Sequence, residues 1–209
     1  MTEPVGFAKP IDSFVVLEGP LVRMEPLTLD HLPALYEIGL HPELWKWTNA
    51  ICTTKPALKE YIEEAITSRK QGTAVPFVTF DKVSNSVVGS SRFGNIDSRN
   101  RHVEIGWTWI TPSAQRSHVN SAAKLLMLSY AFDELGCLRV ELKTDALNSK
   151  SRNAMLRLGC KEEGTFRRHM ITDAGRIRDT VYFSIIAEEW PPIRQRLTEN
   201  LRKPSPISI

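Results

Sequence analysis

The run Val103-Glu-Ile-Gly-Trp-Thr-Trp-Ile-Thr-Pro-Ser-Ala-Gln-Arg-Ser-His-Val-Asn-Ser-Ala-Ala-Lys124 holds the residues best spaced for chemistry. An apolar, aromatic strand enters a short polar turn, and the turn opens a long amphipathic helix. The first backbone N–H groups of a helix lack intrahelical partners and point outward, which makes such a junction a place for phosphate. Arg116, His118 and Lys124 add basic side chains to it. The segment reads as a diphosphate cradle.

Glu104 lies on the strand that feeds this turn. Strand alternation places Glu104, Gly106 and Thr108 on one face and Val103, Ile105, Trp107 and Trp109 on the other. An unpaired charge is costly to bury among apolar neighbours. Glu104 is therefore either a general base, acting directly or through a water it anchors, or a solvated group opposite Arg101 or Arg92. Arg92 has two readings of its own: a ligand for an acceptor carboxylate, or a paired surface arginine. Asn148 is a strong helix N-cap, and Gly159 stops the same helix. The five histidines show no ligand spacing, so no metal is expected. No Ser/His/Asp or Cys/His set has matching context, which argues against a covalent acyl-enzyme.

The elements that must position these groups follow from periodicity. Residues 1–14 carry Pro4, Gly6 and Pro10 without a pattern and read as a flexible arm. A strand at 21–26 precedes a helix capped by Thr28. A second helix spans 55–70, with Pro56 in its first turn. Strands at 74–80, 86–93 and 102–110 read as an antiparallel meander. A long helix over 119–135 stops at Gly136, a strand covers 138–143, and a short helix runs from Asn148 to Gly159. Strands at 161–172 and 178–187 turn at Asp173–Gly175. A short helix then begins at Glu189, and 203–209 reads as a flexible tail. A single domain over 15–202 is the expectation.

Composition sets the frame. The chain has 209 residues, of which 42% are hydrophobic and 24% charged, the balance of a globular domain with a full core. No apolar run approaches the ~18–20 residues of a membrane span, and Met1-Thr-Glu-Pro lacks an export signal. Cys52, Cys137 and Cys160 show neither paired nor metal spacing and suit a reducing, cytoplasmic setting. A net charge of +3 suits an anionic small ligand. An aromatic platform with clustered Lys and Arg is lacking, so neither nucleic acid nor membrane is expected as a partner.

In this order and spacing, Val103-Glu-Ile-Gly-Trp107, Asn120-Ser-Ala-Ala-Lys124, Leu142-Lys-Thr-Asp-Ala-Leu-Asn148, Arg157-Leu-Gly159 and Glu189-Trp-Pro191 resemble the GCN5-related N-acetyltransferase superfamily. The likeness is greatest to its Rim-type ribosomal-protein N-terminal acetyltransferases and covers roughly residues 19–190. It implies an α/β fold with a mixed, mostly antiparallel, splayed sheet flanked by helices, acetyl-CoA as co-substrate and an amine as acceptor. The family's Gln/Arg-x-x-Gly-x-Gly/Ala loop maps onto Gln115-Arg-Ser-His-Val-Asn120, so His118 and Asn120 replace the small residues.

The resemblance also implies roles. Gln115, Arg116, Ser117, His118, Val119, Asn120 and Lys124 would hold the diphosphate. Backbone groups of Trp109 and Ile110, at the splay, would receive the amide arm of the co-substrate like an added strand. Asn148 would bond the pantetheine, Ser151 would lie near the sulfur, and Arg152 would face phosphates. Trp45 and Trp47 border the acceptor region, and Arg92 joins them as a substrate residue. The expected function is direct acetyl transfer to a primary amine, an α-amino group of a protein, peptide or small molecule. The chain could also form a homodimer. The alternative is a CoA-binding regulatory protein without transferase activity.

Overall fold

Short runs of β-branched and aromatic residues between turn-forming clusters build one sheet. The computed structural model describes residues 5–202. Its strands are β1 (Leu17–Glu18), β2 (Val22–Pro26), β3 (Val75–Asp81), β4 (Ser86–Asp97), β5 (His102–Ile110), β6 (Arg139–Asp145), β7 (Lys161–Ile171) and β8 (Ile177–Ile186). They lie in the order β1-β2-β3-β4-β5-β6-β8-β7. Every neighbouring pair is antiparallel except β5 and β6. That one parallel contact requires a crossover, and a helix makes it.

The helices are α1 (Leu32–Gly39), α2 (Pro42–Trp45), α3 (Lys55–Lys70), α4 (Val119–Ser129), α5 (Ser149–Leu158) and α6 (Trp190–Arg202). Adjacent strand residues point to opposite faces, and the two cores show it. Phe77 belongs to one cluster with Val119, Met127 and Leu128 of α4 and Ile193 and Leu197 of α6. Val78 belongs to the other, with Leu35 of α1 and Leu58 and Ile62 of α3. Helices thus cover both faces of the sheet. No helix of the described residues is long and apolar enough to cross a membrane.

Two local irregularities shape the middle of the sheet. β5 and β6 pair only at His102↔Arg139, Val103↔Val140 and Glu104↔Glu141, after which they part. The expected splay is present, and it opens earlier than the end of the strand. The second irregularity is a bulge. Between Ser90↔Trp109 and Arg92↔Gly106 the β5 strand carries an extra residue. Trp107 sits in the bulge with φ 50. A Cβ at Gly94 would lie 2.4 Å from the Trp107 ring, so the opposite strand admits that ring only because Gly94 has no side chain.

The bulge overturns the expected alternation. Ile105 packs in the α4/α6 core, whereas Trp109 packs in the α1/α3 core. One inserted residue flips every side chain after it to the other face. The expected helix 119–135 also divides: α4 ends at Ser129 and a π-helical turn, Tyr130–Glu134, follows. Strand β1 and helix α2 were not expected, and α6 is longer than a short terminal helix.

Where the expected flexible arm is described, it is docked. The Ala8 N–H donates to Leu135 O at 2.8 Å, the Asp12 N–H donates to the Tyr130 hydroxyl at 3.2 Å, and Phe7 and Ile11 pack on the core. Residues 1–4 and the expected tail 203–209 lie outside the described residues.

Candidate active site

The wedge between β5 and β6 is where the sequence-expected residues gather. Both strands run the same way, so their carboxyl ends flank one gap, the usual place for a ligand in a sheet with parallel strands. β5 leads through a 3-10 turn at Pro112–Ala114 into α4, and β6 leads through Asn148 into α5. Two helix N-termini therefore open on the same gap.

Glu104 stands at the vertex, in the last paired row of β5 and β6. It is 2% exposed, so the solvated alternative is excluded. Lys143 Nζ lies 2.9 Å from its Oε2, and Asn95 Nδ2 donates to the same oxygen at 2.5 Å. The buried charge is thereby compensated from one side. The other oxygen faces Gly106, where an added Cβ would come within 2.8 Å of Oε1. Gly106 keeps that approach clear.

The turn ahead of α4 is built differently. The left-handed position falls on Arg116, φ 62. His118 has φ −65 and Asn120 is already helical, so neither position needs the small residue it lacks. Ser117 Oγ donates to Ala114 O at 2.7 Å and accepts the Val119 N–H at 3.2 Å. Gln115 Nε2 donates to Ile110 O at 3.0 Å, taking up one lone pair of a carbonyl expected to meet the co-substrate. Val119 is fully buried and offers only backbone.

Two of the phosphate ligands expected on α4 and its turn are corrected. Lys124 is 5% exposed, with Nζ donating to Thr108 Oγ1 at 2.7 Å and toward Ser91 Oγ at 3.4 Å. Burial pushes its amine down to about 7. Lys124 braces the underside of the Trp107 bulge and does not reach the turn. Its place on α4 explains this: Lys124, Met127, Leu128 and Ala131 form an i, i+3, i+4, i+7 stripe toward the sheet. The His118 ring points to Asp81, with Nε2 2.8 Å from Oδ1. Burial raises the Asp81 carboxyl, but bonds from Ser84, His118 and Val83 outweigh it and hold the group below its ordinary range.

On α5, Asn148 Oδ1 accepts the Ser151 N–H at 3.1 Å, the capping role. Ser151 is half-buried in the first turn. Arg152 is turned to Glu162 at 3.2 Å and to Ala146 O at 3.4 Å, so the guanidinium expected on phosphates complements an acid instead. Of the expected acceptor residues, Trp45 is a core residue: its Nε1 donates to Gly39 O at 2.8 Å and its ring packs edge-on to Tyr61. It also reaches the wall of a cleft of about 420 Å³ lined by Asn49, Thr172 and Arg176. Trp47 stacks under Arg176 at 5.4 Å. Arg92 is 3% exposed, sandwiched between Tyr61 at 4.9 Å and Trp107 at 5.0 Å.

Residues that sequence reasoning missed stand on the β6/β8 side of the wedge. Lys143 and Asp145 share a face of β6, and Tyr182 and Thr180 stand opposite them on β8. Asp145 is fully buried, pairs with Arg176 and accepts the Leu147 N–H at 2.9 Å. Arg178 Nη1 donates to Asn49 Oδ1 at 2.9 Å. The same-parity positions 143 and 145, and 176 and 178, were the available signal. The three cysteines are buried, and burial pushes each thiol up to about 12, far from a nucleophile's range.

Known proteins share this fold. Residues 22–161 match the acetyltransferase (GNAT) domain family. A GCN5-related N-acetyltransferase from Brucella melitensis is 31% identical with a TM-score of 0.84, covering 94% of this chain and 89% of that one. The Bacillus subtilis protein named "Putative ribosomal N-acetyltransferase YdaF" is 35% identical over 105 residues, 50% of this chain and 56% of that protein. RimJ of Mycobacterium smegmatis, solved in complex with CoA-disulfide, shares the fold at 24% identity and a TM-score of 0.75, over 88% of this chain and 93% of that one. The chain belongs to the GNAT acetyltransferase family and resembles its Rim-type branch.

Proposed function

We propose that the protein moves an acetyl group from acetyl-CoA to an α-amino group, directly, within a complex of both substrates. The observation that carries this reading is the wedge itself: two helix N-termini open beside the parting strands β5 and β6, with a buried, ion-paired carboxylate at the vertex. The residues present fit the co-substrate. First-turn N–H groups of α4 and the left-handed Arg116 backbone would hold the diphosphate. The second lone pair of the Ile110 carbonyl and the parted edge of β5 would hold the amide arm.

The thioester brings an acyl group on a thiolate whose reference pKa is ~8.5, so strong acid catalysis is dispensable. Glu104 takes the amine proton at Oε1 through a water, while Lys143 and Asn95 fix Oε2. Ser151 offers its hydroxyl to the departing sulfur from the first turn of α5. Holding amine and thioester together supplies much of the acceleration. The acceptor class follows from proton balance. An α-amine titrates near ~7.7–8.0 and a lysine side chain near ~10.4, so at pH 7 roughly a tenth of the first and only a few per ten thousand of the second are neutral. One carboxylate acting through water suits the first.

The test is thiol release from acetyl-CoA with two peptides, one with a free α-amine and no lysine, the other N-terminally blocked with one lysine. Faster turnover of the α-amine is expected. Faster turnover of lysine contradicts the acceptor class, and CoA binding without any release favours the regulatory alternative.

A further inference from the structure

Arg178 is 6% exposed, and its Nε has no hydrogen-bond partner. Asp145 is the nearest compensating carboxylate, with Oδ2 at 4.0 Å, the outer limit of an ion pair. That oxygen is already held by Arg176, and Oδ1 accepts the Leu147 N–H. Two guanidiniums therefore share one carboxylate. Glu104 lies near enough to act electrostatically on Arg178, yet its own charge is matched by Lys143. The direct hydrogen-bond partner of Arg178 is the neutral carboxamide of Asn49, a wall residue of the 420 Å³ cleft. A second buried polar atom without a partner, Thr180 Oγ1, stands two residues along β8 on the same face. Buried groups left unpaired in this way destabilise a fold unless something supplies the partner. Burial also lowers the Arg178 guanidinium from its ordinary value, with Asp145 opposing the shift.

The register gives the spacing. Lys143, which holds Glu104, faces Tyr182, and the next row on that face is Asp145 opposite Thr180. Arg178 itself stands one row further along β8, and its Nε reaches back toward that row, 4.0 Å from Asp145 Oδ2. One such step along a strand is on the order of 7 Å. An anion there would be separated from an amine at Glu104 by more than one carbon can span.

We propose that Arg178, presented beside Asn49, is a specificity residue for an acceptor carboxylate held one residue step away from the reacting amine. The proposal rests on the α-amine transferase reading above. Guanidinium forks pair with carboxylates through two parallel hydrogen bonds, and Nε is one of the donors such a fork uses. Two sources place a carboxylate at this distance: the C-terminal carboxylate of a dipeptide and the side chain of an acidic first residue. A free amino acid, with amine and carboxylate on one carbon, is too short.

The experiment uses four acceptors: Ala-Ala, Ala-Ala amide, Glu-Ala amide and free alanine. Wild type should prefer Ala-Ala or Glu-Ala amide over Ala-Ala amide at least tenfold in kcat/KM, through KM, and the preferred one identifies the source. Arg178→Gln should erase that preference and keep kcat for Ala-Ala amide within threefold. Asn49→Asp keeps the arginine but gives it an internal carboxylate, and should erase the preference too, which guards against misfolding of the first variant. Calorimetric titration of N-acetyl-Ala-Ala and its amide into the protein with CoA present reads the same preference without turnover. Failure of every acceptor to react despite CoA binding would count against the transferase reading alone. Equal binding of the acid and the amide to wild type, or a loss in Arg178→Gln shared by all acceptors, overturns the role of Arg178.

Discussion

The two sides of the wedge present different parts of the chain. On the α4 side, the side chains of the turn are mostly spoken for: Gln115 on Ile110 O, Ser117 on Ala114 O, His118 on Asp81. Backbone N–H groups and the left-handed Arg116 remain. On the β6/β8 side the working groups are side chains. Glu104, Asp145 and Arg178 are each at least nine-tenths buried and bound to partners far away in sequence. The lesson is that a site built on backbone tolerates substitution, which explains why His118 and Asn120 can stand where the family has small residues. A site built on buried charges depends on the identity of each side chain it uses.

The largest effect should come from the charged side. Glu104→Gln keeps the shape and removes the proposed base, and should lower kcat on an α-amine at pH 7 by ~10²–10⁴-fold, with CoA affinity unchanged by calorimetry. On the other side, Arg116→Glu sets a negative charge at the α4 entrance and should weaken CoA binding about tenfold. Arg116→Gly keeps the left-handed backbone and should lose much less. Equal losses for the two variants would show that the side chain, not the backbone, is in use there.

Lys124 divides the two sides from beneath, and its prediction concerns stability. Its amine is pushed down to about 7 in the fold but titrates near ~10.4 when unfolded. Between those values the unfolded chain binds a proton that the folded chain does not. This penalty is complete below pH 7 and is relieved as pH rises toward 10. Urea midpoints should therefore rise from pH 7 to 9, with a slope of at most ~1.4 kcal/mol per pH unit. Lys124→Met should flatten that slope, and an unchanged slope would mean that another group titrates. The smallest effect belongs to Gly136, φ 66. Gly136→Ala should cost ~1 kcal/mol in denaturant unfolding and leave CoA affinity alone.

The legible parts of the fold were those specified locally. Helix α3 has Thr54 at its cap, with Oγ1 accepting the Ala57 N–H at 3.4 Å, and a clear apolar stripe. Helix α5 runs from the Asn148 cap to Gly159, φ 108. Strand β5 begins and ends where expected. Its bulge was missed because Trp-Thr-Trp reads as plain alternation; the isolated Gly106 just before Trp107 was the one signal available for it. Glu104 could be singled out because a lone acid in an apolar strand is conspicuous. Its partners Asn95 and Lys143 could not, since the register of β4, β5 and β6 brings them together. Lys124 was misjudged because it is near the turn in sequence, while the helical period turns it under the sheet.

The most direct test of the account is the pH dependence of kcat for wild type and Glu104→Gln on one α-amine peptide, from pH 6.5 to pH 9.5. If Glu104 receives the amine proton, the gap between the two should be widest near pH 7 and close steadily above pH 8, as more acceptor arrives unprotonated. A gap that stays constant with pH, or near-wild-type turnover of the variant at pH 7, would contradict the assignment of Glu104.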